Sequence, residues 1–121
     1  MNKPPVITHP DLVKALCKPG WEIHDSLTAS QCHVLHMLIG LQGELGEIVD
    51  AIKKQIIYAQ PLDRENLIEE LGDIEFYLEG LRQAYDISRD VTLNANVNKL
   101  STRYWEGHYT NKAAAERQDK A

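Results

Sequence analysis

The sequence predicts an all-α protein, a bundle-like fold of four to five helices. Three observations carry this. Helix-start signals are followed by apolar residues at helical spacing, chain breakers fall between the periodic stretches, and alternating β-branched runs bounded by turn residues are almost absent.

Taken in order, Thr8 with Pro10 behind it opens a short helix through Leu12, Val13, Ala15 and Leu16, which stops at Lys18-Pro19-Gly20. Thr28-Ala29-Ser30-Gln31 has the capping-box pattern, in which two side chains satisfy each other's backbone N–H groups. The periodic stretch behind it runs to about Tyr58, and Pro61 forbids continuation. Asp63 caps a third helix through about Ala84, and Ser88 a fourth through about Tyr104. Gly107 ends the ordered pattern. The residues after it are alanine and charge without an apolar stripe, so 108–121 is expected to be a mobile tail or to pack only on a neighbouring copy.

A chain of 121 residues fits one domain. Its core is expected at about 27–107, with an N-terminal helix and loop over 1–26. No apolar run approaches the roughly 20 residues of a membrane span, so no membrane partner is expected. The start, Met1 to Val6, lacks the basic patch and apolar stretch of a secretory signal, and Cys17 and Cys32 form no metal or redox motif. A reducing cytoplasm is the expected compartment, with both cysteines as buried or half-buried thiols. The net charge of −5 argues against a nucleic-acid surface, where Lys and Arg must neutralise phosphates. An acidic protein that binds phosphates generally does so through a divalent cation.

Projected at about 100° per residue, the second helix carries Val34, Leu38, Leu41, Leu45, Ile48, Val49, Ile52 and Ile56 on one apolar face. Glu44 and Glu47 share a strip bordering that face, with Gly40 and Ala51 on the same strip and Lys54 near it. Small residues beside two acids leave space for a metal or ligand. The third helix repeats the arrangement: Leu67, Leu71, Ile74, Leu78 and Leu81 form the core, and Glu70 and Asp73 lie on the adjoining strip with Asn66 and Tyr77. Glu69, Glu75 and Glu79 swing toward solvent. Two antiparallel helices joined at Gln60-Pro61-Leu62 can therefore bring Glu44, Glu47, Glu70 and Asp73 together.

Four converging carboxylates repel unless something positive sits among them. Mg²⁺ takes oxygen ligands and is commonly shared between carboxylates and substrate phosphates. It can neutralise phosphate charge, orient the scissile bond and lower the pKa of a bound water, with a spare carboxylate taking the proton. On the fourth helix Asn96, Lys99 and Arg103 share a side, and a Lys and an Arg one turn apart suit a triphosphate. The bland alternatives are salt bridges for Lys99 and Arg103, ordinary packing for His33 and His36, and packing anchors for Trp21 and Trp105.

Gly43-Glu44-Leu45-Gly46-Glu47 and Glu70-Leu71-Gly72-Asp73 resemble the Glu-x-x-Glu and Glu-x-x-Asp signature of MazG-like nucleotide pyrophosphohydrolases. Their all-α superfamily also holds dimeric dUTPases and phosphoribosyl-ATP pyrophosphohydrolases. Ile52-Lys53-Lys54, Asn96-Val97-Asn98-Lys99-Leu100 and Arg103-Tyr104-Trp105-Glu106-Gly107 are similar to further family segments, so about 34–107 is covered. The resemblance implies the all-α NTP pyrophosphohydrolase fold and Mg²⁺-dependent cleavage of a nucleoside triphosphate to monophosphate and pyrophosphate, in nucleotide-pool house-cleaning. It implies Mg²⁺, with Mn²⁺ as a substitute, on Glu44, Glu47, Glu70 and Asp73, the four catalytic acids. Lys54, Asn96, Lys99 and Arg103 would be the substrate contacts. It also implies a homodimer or homotetramer in which a neighbour completes each site. The competing expectations are a specialised relative acting on dUTP or phosphoribosyl-ATP, and a non-catalytic helical protein that binds a cation or serves regulation.

Overall fold

The structure, a computed structural model, describes residues 7–121. The described residues are all-helical. They form α1 (His9–Leu16), α2 (Gly20–Ser26), α3 (Ala29–Ile56), α4 (Arg64–Ala84), α5 (Arg89–Arg103) and α6 (Asn111–Glu116), with a 3-10 turn over Gln118–Lys120. The chain divides between Cys32 and His33 into two compact units.

In the first unit Thr8 caps α1, its Oγ1 accepting from the Asp11 N–H at 3.3 Å. The sequence reading ends that helix at Lys18-Pro19-Gly20 and sees no further one before Thr28. The structure starts α2 at Gly20, because Pro19 stops one helix and, with φ −58°, presets the entry of the next. Cys17 and Cys32 are both exposed, which corrects the expectation of buried or half-buried thiols. Trp21 is 66% exposed and therefore no packing anchor within this chain. The capping box at the start of α3 is as read: the Gln31 N–H donates to Thr28 Oγ1 at 3.1 Å, and the Thr28 N–H to Gln31 Oε1 at 2.9 Å.

In the second unit α3 and α4 are antiparallel neighbours. A Cβ on Gly40 would strike the Tyr77 ring, and one on Gly80 would strike Met37 Sδ. Both glycines are thus sites of close helix approach, and Met37 is 6% exposed beneath Gly80. The chain reverses between the helices through Ala59, which takes the left-handed region at φ 52°. The Gln60 N–H closes that turn on the Lys54 carbonyl at 3.1 Å. Asp63 then caps α4, accepting from the Asn66 N–H at 3.1 Å, and Ser88 caps α5, accepting from the Val91 N–H at 3.1 Å.

The C-terminal residues differ from the expected mobile tail. Thr110 caps α6, Ala113 is buried, and Asp119 is paired with Arg103 of α5. The Ala-rich helix carries no apolar stripe, and its contacts are the buried Ala113 and the neighbouring Arg103–Asp119 ion pair.

Much of the apolar surface predicted as core is open in the single chain. Val49 (65% exposed), Ile56 (70%) and Leu71 (50%) on α3 and α4 stand in solvent, as does Val97 on α5. The periodicity that marks a buried face cannot say whether the cover comes from the same chain.

Candidate metal and substrate site

The register of the helix pair fixes the acids. Met37 lies against Gly80 and Gly40 against Tyr77, so three steps along α3 match three back along α4. One further turn sets Glu44 level with Asp73, and the next sets Glu47 level with Glu70. Glu44, Glu47 and Glu70 each offer a carboxylate oxygen, and these oxygens all lie within 4.8 Å of one another. Asp73 stands outside this group. It is exposed, and its side chain is one methylene shorter than a glutamate's.

Glu44 Oε2 and Glu70 Oε2 are buried, and with all three acids ionised neither oxygen meets a hydrogen-bond donor among the described residues. Glu70 responds electrostatically: its pKa is pushed up from 4.5 to about 8, first by hydrogen bonding with the Glu44 and Glu47 carboxylates, then by burial and by the charges of both. Orphaned acid oxygens packed this closely, with no counter-cation among them, fit a hard divalent ion that takes several oxygen ligands.

A cavity of about 580 Å³ adjoins the acids. Gly43, Gly46 and Ala51 of α3 line it, and nothing lies within 4 Å of a Cβ built on Gly43 or Gly46. Of the two small residues expected to leave space beside the acids, Gly40 and Ala51, Ala51 lines the cavity, and Gly43 and Gly46 add to the opening. The expectation is corrected for Gly40, whose space is taken by Tyr77. Lys54 also lines the cavity, with Nζ 2.9 Å from Asp50 Oδ2. Asp50, Gln60 and Asn66 line it as well, and sequence reasoning did not single them out as site residues. The available signal was spacing: Asp50 follows Glu47 by one turn and Asn66 precedes Glu70 by one turn.

The α5 candidates lie elsewhere. Asn96 and Lys99 are exposed and do not line the cavity. Arg103 holds Asp119 through two hydrogen bonds, Nε to Oδ1 at 2.7 Å and Nη2 to Oδ2 at 3.1 Å. A tail without a periodic apolar signal gives no hint of that partner. Glu79, expected in solvent, is half-buried with Oε2 3.8 Å from Arg82 Nε. His36 packs edge-on to Tyr77 at 6.4 Å, and both His33 and His36 are exposed. Trp105 is 68% exposed.

This arrangement, two acidic motifs on antiparallel helices beside an open polar cavity, coincides with the sequence match. The chain belongs to the MazG nucleotide pyrophosphohydrolase family, whose domain model matches residues 33–107. It is also 33% identical over 73 residues to the Gene 37 protein of Mycobacterium phage L5, a match covering 56% of this chain and 63% of that protein's length. No solved structure matches the chain. No helix among the described residues is long and apolar enough to cross a membrane.

Proposed function

We propose that this chain hydrolyses a nucleoside triphosphate to the monophosphate and pyrophosphate in a Mg²⁺-dependent reaction. The observation that carries the reading is the group formed by Glu44, Glu47 and Glu70, with its buried, unpartnered oxygens, inside the region that matches the family. Asp73, level with Glu44, is the fourth ligand, reached by a change of side-chain rotamer. Mg²⁺, or Mn²⁺ in its place, supplies the positive charge that lets carboxylates and phosphates share one site. The protein's own part is to present the acids on rigid helices, and a carboxylate free of the cation takes the proton from the attacking water. Attack at the α-phosphorus breaks its bond to the bridging oxygen, and pyrophosphate leaves.

Lys54 lines the cavity and serves as a substrate contact there. Asn96 and Lys99 are assigned to the substrate across a homodimer or homotetramer, with α5 of one copy completing the site of another. The apolar residues left open on α3, α4 and α5 support such an assembly. Arg103 joins these contacts only by releasing Asp119.

The test is pyrophosphate release from a panel of canonical and damaged nucleoside triphosphates, with Mg²⁺ and then with chelator. Mg²⁺-dependent release from at least one nucleotide is expected. Metal binding without turnover on any of them would instead make the acids a cation-binding or regulatory site.

A further inference from the structure

The cavity continues past the acids toward the α3–α4 turn. On α3 it follows Glu47, Asp50 and Lys54, about 10 Å of helix at 1.5 Å per residue. On α4 it runs back from Glu70 through Asn66 to Asp63. At the turn end, Asp50 and Asp63 face one cation, Lys54, which Asp50 already holds at 2.9 Å. Both ends are net negative, but only at the acid end does the proposed Mg²⁺ offset that charge, so a polyphosphate is favoured there and a neutral group able to donate and accept hydrogen bonds suits the turn end.

Asn66 supplies the matching chemistry. It is half-buried, lies one turn before Glu70 on the same side of α4, and its side-chain amide makes no hydrogen bond among the described residues. Its backbone N–H, not its side chain, takes the Asp63 cap, so the helix start does not need the amide. An asparagine amide offers two donors and an acceptor within one planar group.

We propose that Asn66 contacts the nucleoside part of the substrate, which lies along this groove with its phosphates at the Glu44, Glu47 and Glu70 end. This rests on the triphosphate reading above and assigns the direction in which the substrate lies.

The test compares Asn66→Ala and Asn66→Asp with wild type on a nucleoside triphosphate panel and on inorganic tripolyphosphate, which carries the anhydride without a nucleoside. For Asn66→Ala, KM for the preferred nucleotide should rise about five- to tenfold, the loss of one hydrogen bond, with kcat little changed. The inhibition constant of tripolyphosphate should stay as in wild type. Asn66→Asp removes the donors and keeps the shape, so the ranking within the panel should shift. A shift between bases assigns Asn66 to the base edge, and a shift between ribo- and deoxyribonucleotides to the sugar. An equal loss toward nucleotide and tripolyphosphate, or no change toward either, overturns the assignment. Calorimetric binding of a nucleoside monophosphate and of tripolyphosphate is run alongside. If wild type binds both without turnover, the activity reading fails while the Asn66 effect on monophosphate binding is still read.

Discussion

Arg103 and Asp119, sixteen residues apart, form a two-pronged ion pair in which the Asp119 side chain is only 5% exposed and that of Arg103 17%. The pair fastens the C-terminal 3-10 turn to α5. Asp119→Asn should lower the melting temperature and open 108–121 to limited proteolysis, since it leaves the half-buried guanidinium without its counter-charge. The Arg103 guanidinium holds the Asp119 carboxyl below its ordinary value of 3.8. Its stabilisation is therefore present above that value and lost as pH falls through the folded-state pKa. Asp119→Asn should flatten the acid limb of the stability profile. Arg103→Ala then separates two roles: instability with normal activity per folded molecule marks a structural residue, and lost activity in a stable protein marks a phosphate contact.

Gly40 and Gly46 occupy the same helix and should respond oppositely to alanine. At Gly40 the added methyl meets the Tyr77 ring, so Gly40→Ala should destabilise by about 1–3 kcal/mol. At Gly46 an added methyl meets nothing within 4 Å among the described residues beyond its own helix backbone, so Gly46→Ala should stabilise the metal-free chain by up to about 1 kcal/mol through helix propensity alone. The same substitution narrows the cavity and should reduce turnover. Thermal melts and steady-state rates of the two variants check both halves.

The acid group predicts an unusual pH dependence. Glu70 has a folded-state pKa near 8, above its ordinary 4.5, so the folded protein holds a proton there that the unfolded chain releases. Its contribution is full below about 4.5 and is lost as pH rises toward 8. In chelator, stability should fall across that window. A divalent cation should remove the decline, and Glu70→Gln should abolish it without metal. Melting curves at pH 5, 6.5 and 8, with and without Mg²⁺, provide the check.

Single acid substitutions grade the site. Under the proposed metal site, Glu44→Gln and Asp73→Asn should each lose most turnover, roughly a hundredfold or more, with the fold intact, since each removes a carboxylate assigned to the cation and no core volume. Glu69→Gln should be mild, because the register that sets Asp73 level with Glu44 and Glu70 level with Glu47 leaves Glu69 off the acid strip. An equal loss at Glu69 would contradict the helix register.

The helix starts were legible because Thr8, Thr28, Asp63 and Ser88 are caps with their own local hydrogen bonds. The placement of Glu44, Glu47 and Glu70 followed from spacing and antiparallel packing. Other features were not legible. Pro19-Gly20 reads equally as a stop and a start, so α2 was missed. The docking of 111–121 rests on Ala113 and Asp119, two residues with no periodic signal. The cavity's far end depends on which side chains the α3–α4 turn draws together: spacing puts Asn66 on the Glu70 strip, but that this part of the strip lines a cavity shows only once that turn is built.

The central claim is tested most directly by phosphorus NMR of the products of the preferred nucleoside triphosphate with Mg²⁺. The account predicts nucleoside monophosphate and pyrophosphate in equal amounts, and neither when Glu44→Gln replaces wild type. Nucleoside diphosphate with inorganic phosphate as the main products would contradict it.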